Sequence, residues 1–275
     1  MKQEFYFSEK LFDNKTAVIT GGGSGINLGI AKYLARHGAN IAICGRTKDK
    51  LQAAAAELKN IGSKVYASPV DVREFAGLEE FFDKVGKTLG RPSVVIAGAA
   101  GNFLSPAEAL SPNGFKTVID IDLIGSFNTA KAAFPHLKST SGSMVFISAG
   151  QAFTPYEFQA HAGAAKAGID QMMKNLALEW GRYGIRVNSI VPGPIDGTAG
   201  LEKLTNEKEI ETFVRSIPLQ RLGKKDDIGA LVSFLCSPLA TYLTGARIDC
   251  DGGQNLPGSG QLNHSVRKMF EGAIS

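Results

Sequence analysis

The chain has 275 residues, of which 44% are apolar and 20% are charged, and its formal net charge is +4. A chain of this length can bury a substantial core without metals or crosslinks. We therefore expect one domain over residues 1–275, with a core at about 12–253 and a C-terminal tail at 254–275. The basic residues are scattered, and no stretch approaches the roughly 18 uninterrupted apolar residues of a membrane span. Neither nucleic acid nor a membrane is an expected partner.

Cysteine usage and the chain ends bear on the compartment. The three cysteines, Cys44, Cys236 and Cys250, are sparse and include no close pair. This pattern fits a reducing compartment better than a disulfide framework or a zinc site, and we expect no metal. The first ten residues lack an apolar signal core, and the final Ala-Ile-Ser is not a peroxisomal signal. The sequence predicts a cytoplasmic protein.

Short β-branched runs alternate with helical patterns along the chain, which is typical of βαβ units on a parallel sheet. Apolar residues at helical spacing recur at 26–34 and again around Ile169 and Met173, so we expect helices on both faces. The fold class predicted is α/β, a single-domain Rossmann fold with a doubly wound seven-stranded parallel sheet. The predicted strands are Thr16 to Thr20, Ala39 to Cys44, Lys64 to Ser68, Ser93 to Ala97, Ser143 to Ile147, Arg186 to Val191 and Ala246 to Asp249.

A glycine-rich turn follows the first strand and opens a helix, reading Thr20-Gly21-Gly22-Gly23-Ser24-Gly25-Ile26-Asn27-Leu28-Gly29. Glycine at such a turn lets backbone amides and the helix N-terminus approach a pyrophosphate. We expect Gly21, Gly23, Ser24, Gly25, Ile26 and Asn27 to contact a dinucleotide cofactor. The turn resembles the Thr-Gly-x-x-x-Gly-x-Gly fingerprint of the short-chain dehydrogenase/reductase family, except that Asn27 stands at the last glycine. Either the helix shifts there, or the Asn27 side chain takes over a contact.

The end of the second strand indicates which nucleotide is preferred. Enzymes that prefer NAD place an acid there for the ribose hydroxyls, but this strand ends Cys44-Gly45-Arg46-Thr47 with no acid before Asp49. The guanidinium of Arg46 favours a 2′-phosphate, so we expect NADPH/NADP as the cofactor. The family resemblance further implies that Asp71 and Val72 contact adenine, although an Asp at that point can also cap a helix.

The catalytic set of this family is incomplete here. Its Ser, Tyr and Lys normally act together, and the lysine lowers the pKa of the phenol that donates the proton. Lys166 matches the family lysine by its place in the run His161 to Gly168, but Ala162 stands at the tyrosine and Ala149 at the serine. The usual machinery for reducing a carbonyl is therefore missing. Conjugate reduction does not need it, because the charge spreads into a dienolate that hydrogen bonds can stabilise.

Several segments resemble the peroxisomal type of 2,4-dienoyl-CoA reductase, and the resemblance runs from about Phe12 to about Gly253. It rests on Ala99-Ala100-Gly101-Asn102-Phe103-Leu104-Ser105-Pro106, the run Phe115 to Asp122, His161-Ala162-Gly163, Pro192-Gly193-Pro194-Ile195, Gly197-Thr198 and Gly200-Leu201. One departure is Ala97, where most such reductases keep an asparagine. The resemblance implies an enoyl or dienoyl thioester as the substrate. An acyl-CoA is expected, and acyl carrier protein stays open as the other carrier.

Roles for further residues follow from that resemblance. Asp122 and Lys166 are the expected catalytic pair, holding a water near the α-carbon of the substrate. Asn102, Phe103 and His161 are expected to contact substrate. Further cofactor contacts are implied for Ala99, Ala100, Gly101, Lys166, Pro192, Gly193, Ile195 and Thr198.

Two other functions stay open at this point. One is a carbonyl or 3-oxoacyl reductase with a substitute proton donor such as Tyr156; the other is a cofactor-binding protein without turnover. The fold cannot choose among them, because it hosts many reactions. The closing segments, Tyr242 to Gly245 and Asp251 to Gly253, resemble those that build the family's tetramer interface. The resemblance therefore implies a homotetramer.

Overall fold

A computed structural model describes residues 10–198, 201, 207–256, 260, 263, 265 and 266. Within these residues, seven strands form one sheet in the order β3-β2-β1-β4-β5-β6-β7, and every neighbouring pair is parallel. The strands are β1 (Thr16–Thr20), β2 (Asn40–Gly45), β3 (Val65–Pro69), β4 (Pro92–Ala97), β5 (Ser143–Ile147), β6 (Arg186–Pro192) and β7 (Arg247–Cys250). The sequence prediction of a doubly wound seven-stranded sheet is confirmed, with strand ends displaced by at most one residue.

Helices cover both faces of the sheet. They are α1 (Gly25–Arg36), α2 (Lys48–Asn60), α3 (Phe75–Leu89), α4 (Pro112–Val118), α5 (Gly125–Thr140), α6 (Ala160–Trp180), α7 (Glu207–Ser216) and α8 (Lys225–Cys236). A π-helix, Ile119–Ile124, joins α4 to α5 without a break. The crossovers between parallel strands require such helices, and this explains the alternating pattern in the sequence.

Two separate apolar cores lie on the two faces, because successive side chains of a strand point to opposite sides. In β1, Val18 packs in the core beneath α3, α5 and α6, whereas Ile19 packs in the core beneath α1, α2 and α8. Met173 is fully buried in the first core, and Met172 packs against it. The apolar spacing along α6 therefore reports core packing.

The strand order reverses between β1 and β4, which are neighbours in the sheet although β2 and β3 intervene in sequence. Loops leaving the carboxyl ends of β1 and β4 diverge at this point and open a crevice, where ligands of doubly wound sheets bind. The fold thus sets the location of the site before any side chain is considered.

The cysteines are free thiols in this structure, and burial raises the pKa of Cys44 to about 12. Across residues 10–198 and the other described positions, no group of three His, Cys, Asp or Glu could hold a metal ion. None of the helices described is long and apolar enough to cross a membrane. The boundaries of core and tail stay predictions, and most of 254–275 lies outside the described residues.

Candidate active site

A cleft of about 640 Å³ lies at the carboxyl ends of the strands, on both sides of the β1/β4 reversal. Its wall contains most of the residues that the sequence predicts to contact the cofactor or the substrate. They are Gly21, Gly23, Ser24, Gly25, Ile26, Asn27, Arg46, Asp71, Val72, Ala99, Ala100, Asn102, Phe103, Lys166, Pro192, Gly193, Ile195 and Thr198. Gly101, Asp122 and His161 do not lie on this wall.

The glycine turn between β1 and α1 forms a cradle that side chains would fill. Gly21 and Gly25 have φ angles of +69° and +60°, which disfavour any residue with a Cβ. A Cβ on Gly22 would lie 2.5 Å from Cγ2 of Ile43. Ser24 occupies the N-cap position of α1, but its side chain makes no capping hydrogen bond, and the first turn of the helix holds no acidic residue. Its N–H groups and the positive end of the helix dipole therefore suit the pyrophosphate of a dinucleotide.

Asn27 stands where the family fingerprint has glycine, and its side chain makes hydrogen bonds. Its Nδ2 donates to the carbonyl oxygen of Gly98 at 2.7 Å and lies 3.4 Å from that of Gly21. A Cβ on Gly98 would fall 2.2 Å from Oδ1 of Asn27, so any other residue there would displace the Asn27 side chain. Of the two outcomes left open by the sequence, the side-chain contact is observed. It ties the glycine turn to the chain leaving β4.

Cations line the cleft at the end of β2. Arg46 and Lys50 both lie on the wall, and Asp49 between them does not. Asp71 lies nearby; hydrogen bonds from Arg73 lower the pKa of its carboxyl, and the charge of Arg46 adds to this. Asp71 does not cap α3, whose N-cap residue is Glu74. This end of the cleft therefore offers positive charge to the ribose side of a nucleotide.

The lysine and aspartate nominated as a catalytic pair lie together. Nζ of Lys166, in α6, is 3.2 Å from Oδ2 of Asp122 and donates to the carbonyl oxygen of Ile147 at 3.1 Å. The other oxygen, Oδ1, accepts from the backbone N–H of Gly101 at 2.8 Å. Asp122 is only 1% exposed and Lys166 9%, so the ammonium lies on the cleft wall with the carboxylate behind it.

The π-helix positions Asp122 for this contact. Single π turns within α-helical segments are rare and are frequent at functional sites. Opposite the π-helix, a Cβ on Gly168 would lie 2.8 Å from Cδ2 of Leu123, so glycine there lets α6 approach closely. The family-like run ending in Gly168 thus brings Lys166 within reach of Asp122.

The positions that the sequence analysis compared with the family serine and tyrosine carry methyl groups. Ala149 lies on the cleft wall, and Ala162 is buried in the first turn of α6. Tyr156, the candidate substitute donor, also lines the cleft, but its hydroxyl is 3.4 Å from Oδ1 of Asn255. Burial and the nearby charge of Asp251 raise the pKa of this phenol. A phenol activated by a lysine would shift the other way.

The residues expected at the substrate end differ in their exposure. Phe103 is 41% exposed on the cleft wall, and Asn102 lies beside it. His161 is fully buried, with its ring centroid 4.5 Å from that of Phe103. Neither of its ring nitrogens has a hydrogen-bond partner among the described residues. The structure thus places His161 behind Phe103, where any effect on a substrate passes through that ring.

The loop after β6 forms the remaining wall. Gly193 allows close contact with the end of β7, because a Cβ there would lie 2.5 Å from Cα of Asp251. Oγ1 of Thr198 donates to the carbonyl oxygen of Ile195 at 2.7 Å, which closes the turn between them. The neighbouring residues 199, 200 and 202–206 lie outside the described residues.

Sequence reasoning missed several residues of the site. Lys50, Gln151 and Gln254 line the cleft, and Gln159 lies buried next to it. Lys50 had a signal, because it is a cation four positions after Arg46, in the first turn of α2. The three glutamines carry no motif, and they reach the site only through the order of the strands.

A glycine cradle at an uncapped helix N-terminus, beside a cleft at the strand reversal, defines a dinucleotide-binding α/β protein. A family model described as enoyl-(acyl carrier protein) reductase matches residues 21–255. The chain is 44% identical over 247 residues to the peroxisomal 2,4-dienoyl-CoA reductase of Saccharomyces cerevisiae, covering 88% of this chain and 85% of that protein. It is 42% identical over 255 residues to the Danio rerio protein of the same description, covering 92% and 85%.

A solved short chain dehydrogenase from Bacillus anthracis has the same fold, with a TM-score of 0.80 and 38% identity. The match covers 88% of this chain and 96% of that one. The chain therefore belongs to the short-chain dehydrogenase/reductase family. It is an oxidoreductase whose fold binds a nicotinamide cofactor.

Removal of the Asn27 contact tests how the glycine turn is held. We expect Asn27→Ala to raise the Kd for the nicotinamide cofactor about fivefold to tenfold, since one hydrogen bond contributes about 1 kcal/mol. Fluorescence titration measures this. Asn40→Ala is the matched control, because Asn40 Nδ2 bonds the carbonyl oxygen of Leu89 at the far end of the sheet. Equal affinities in both variants would show that the Asn27 contact is dispensable.

Proposed function

We propose that the chain is an NADPH-dependent 2,4-dienoyl-CoA reductase, which adds hydride to a conjugated acyl thioester. The observation that carries this proposal is the Lys166 ammonium, held by Asp122 on the cleft wall. Ala149 offers no hydroxyl on that wall, and Ala162 offers none in the first turn of α6. Relatives more than 40% identical over most of the chain are named for this reaction. Direct reduction of a carbonyl would need a proton donor, and alanine supplies none at either position.

The chemistry explains why such a site can work without a phenol. NADPH, when bound, supplies a hydride to the far carbon of the 2,4-diene. The negative charge then spreads to the thioester oxygen, where hydrogen bonds stabilise it without full protonation. A proton added at the α-carbon leaves the remaining double bond at the third carbon. That outcome agrees with the relatives' description as (3E)-enoyl-CoA-producing.

Lys166 is suited to deliver that proton through a water molecule. An ammonium has three N–H donors. One is bonded to the carbonyl oxygen of Ile147 and one is directed to Asp122, which leaves the third for the cleft. Asp122 has no surface on the cleft wall, so it acts by holding Lys166 in place. The pair would together polarise a water near the α-carbon, and Lys166 would also hold the ribose of the cofactor.

The preference for NADPH over NADH rests on the end of β2. Arg46 and Lys50 line the cleft there, and no carboxylate from residues 45–50 does. A guanidinium forms paired hydrogen bonds to a phosphate, which matches the 2′-phosphate of NADPH. An NAD-preferring site would present an acid to the 2′-hydroxyl at this point.

The two other functions have less support. A carbonyl or 3-oxoacyl reductase would need Tyr156 as the donor, yet burial raises the pKa of that phenol and its hydroxyl lies by Asn255. A cofactor-binding protein without turnover has no need of a lysine and an aspartate paired at the nicotinamide end. That pairing favours an active enzyme.

Oligomeric state and location stay predictions. A homotetramer is supported by apolar side chains left exposed on α5 and α6, among them Phe127 and Leu178, and light scattering would give the mass. The expected cytoplasmic location rests on the sequence, whereas the curated relatives named above are peroxisomal. Imaging of a fluorescent fusion decides between the two compartments. No nucleic acid or membrane partner is proposed.

Loss of the lysine–aspartate pair tests the catalytic scheme. With NADPH and a 2,4-dienoyl-CoA, we expect Lys166→Ala and Asp122→Ala to lower kcat by about a hundredfold or more, in the range of general acid–base contributions. Asp122→Asn keeps the acceptor for the Gly101 N–H but loses the charge. Its kcat should lie between those of the wild type and Asp122→Ala. The decrease in NADPH absorbance measures turnover. Rates equal to wild type in all three variants would show that the pair takes no part in the reaction.

The same assay distinguishes the competing functions. Tyr156→Phe abolishes activity if Tyr156 is the proton donor, and a 3-oxoacyl-CoA is then the better substrate. Under the reductase proposed here, the dienoyl-CoA is preferred and turnover survives this change. NADPH binding with no oxidation by either substrate would favour the protein without turnover.

The nucleotide preference has its own test. We expect Arg46→Ala to raise the KM for NADPH at least about tenfold and to leave the KM for NADH unchanged, since a charged hydrogen bond contributes about 1.5–3 kcal/mol. Lys48→Ala is the control, because Lys48 belongs to the same exposed segment but does not line the cleft. Steady-state kinetics with both nucleotides give the ratio. A parallel loss with NADH would mean that Arg46 does not contact the 2′-phosphate.

A further inference from the structure

Three primary amides from separate segments meet beside the cleft. Oε1 of Gln159 accepts a hydrogen bond from Nδ2 of Asn102 at 2.8 Å and another from Nε2 of Gln151 at 2.9 Å. Asn102 follows β4, Gln151 follows β5, and Gln159 precedes α6. Asn102 and Gln151 lie on the cleft wall, whereas Gln159 is 4% exposed and lies behind them. One buried oxygen thus orients two amides that face the cleft.

The backbone around these amides is fixed at several points. The carbonyl oxygen of Gln159 accepts from the N–H of Gly163 in the first turn of α6, at 2.9 Å. A Cβ on Gly163 would lie 3.0 Å from the carbonyl oxygen of Gln151, so glycine lets that segment approach the helix closely. Ser105 N–H also donates to the carbonyl oxygen of Phe158 at 3.0 Å. Hydrogen bonds and close packing therefore hold the backbone that carries these amides.

The donor count determines what this arrangement can bind. A primary amide has two N–H donors and one carbonyl oxygen. Asn102 and Gln151 each give one N–H to Gln159, and this restrains the orientation of each amide. The second N–H of each has no bonded partner among the described residues, and both side chains lie on the cleft wall. Two preoriented N–H donors are the arrangement that stabilises an oxygen on which negative charge develops.

We infer that Gln159 is a positioning residue that orients Asn102 and Gln151, and that the free N–H groups of this amide pair bind the thioester oxygen of the acyl substrate. The inference rests on the proposed function and specifies where its dienolate charge is held. Gln151 is a substrate-binding residue in this scheme. The pair does the work for which other family members use hydroxyl groups, because Ala149 and Ala162 offer none.

The test compares variants of the two glutamines in the full-length protein. Gln159→Leu removes the shared acceptor, whereas Gln159→Glu keeps an acceptor oxygen in the same place. Gln151→Leu removes one donor from the wall, with less risk to folding than a change at the buried position. Gln171→Leu is the matched control, since Gln171 pairs with Asn175 through a similar amide contact of 3.3 Å on the exposed side of α6.

We expect Gln159→Leu and Gln151→Leu to lower kcat with a 2,4-dienoyl-CoA at least about tenfold, below the full loss seen when an oxyanion donor is deleted. The Kd for NADPH should stay within twofold of wild type, and Gln159→Glu should recover most of kcat. Gln171→Leu should match wild type. A loss of NADPH affinity parallel to kcat, or no recovery in Gln159→Glu, would reduce Gln159 to a structural residue and overturn the inference.

Infrared spectroscopy separates this inference from the proposed function. Hexanoyl-CoA carrying ¹³C at the thioester carbonyl cannot be reduced, and its C=O stretch falls in frequency when the oxygen accepts hydrogen bonds. With NADP⁺ present, we expect a downshift in wild type that is lost in Gln159→Leu and in Gln151→Leu. A downshift without any dienoyl-CoA turnover would support the amide site and contradict the proposed reaction. Turnover without a downshift in wild type would overturn the amide site alone.

Discussion

The buried contact between Lys166 and Asp122 is the constraint on which the rest of the site depends. Burial of a carboxylate and an ammonium is costly unless their remaining hydrogen bonds are made inside the protein. Here the carboxylate accepts from Gly101, and the lysine donates to Ile147, so the pair connects the ends of β4 and β5 to the π-helix and α6. Loss of either charge leaves the other buried without its partner, which is unfavourable. The pair therefore fixes both the position of the ammonium and the shape of the cleft wall around it.

Alanine at positions 149 and 162 is consistent with the proposed reaction once the charge distribution of its intermediate is considered. A carbonyl reduced directly leaves a localised alkoxide, which needs an acid of matched pKa. A conjugated thioester spreads the same charge over several atoms, so neutral N–H donors and a water held by an ammonium can suffice. The methyl group of Ala149, on the cleft wall beside Lys166, is compatible with chemistry of this kind.

The sequence predicted those parts of the molecule that depend on local pattern. The β-branched runs located all seven strands, and the glycine turn located the cofactor cradle, because both are set by neighbours in the chain. The resemblance to dienoyl-CoA reductases brought Asp122 and Lys166 together from 44 residues apart, and the structure places them in contact. The amide cluster was not predictable in this way. Its hydrogen bonds join Asn102 to Gln159 across 57 positions, and only the adjacency of β4 and β5 brings them together. The placement of His161 was missed for a similar reason, since burial behind Phe103 is a tertiary property.

Two departures from the family pattern, which look unrelated along the chain, meet at one point of the structure. Ala97 stands at the end of β4 where most related reductases keep an asparagine, and Asn27 stands in the glycine turn where the family has glycine. The Asn27 amide donates to the carbonyl oxygen of Gly98, the residue directly after Ala97. The Asn27 amide thus holds the backbone directly after β4, and because Gly98 has no Cβ, the Asn27 side chain fits against it. The Ala97 methyl group is buried in the core on the face covered by α3, α5 and α6.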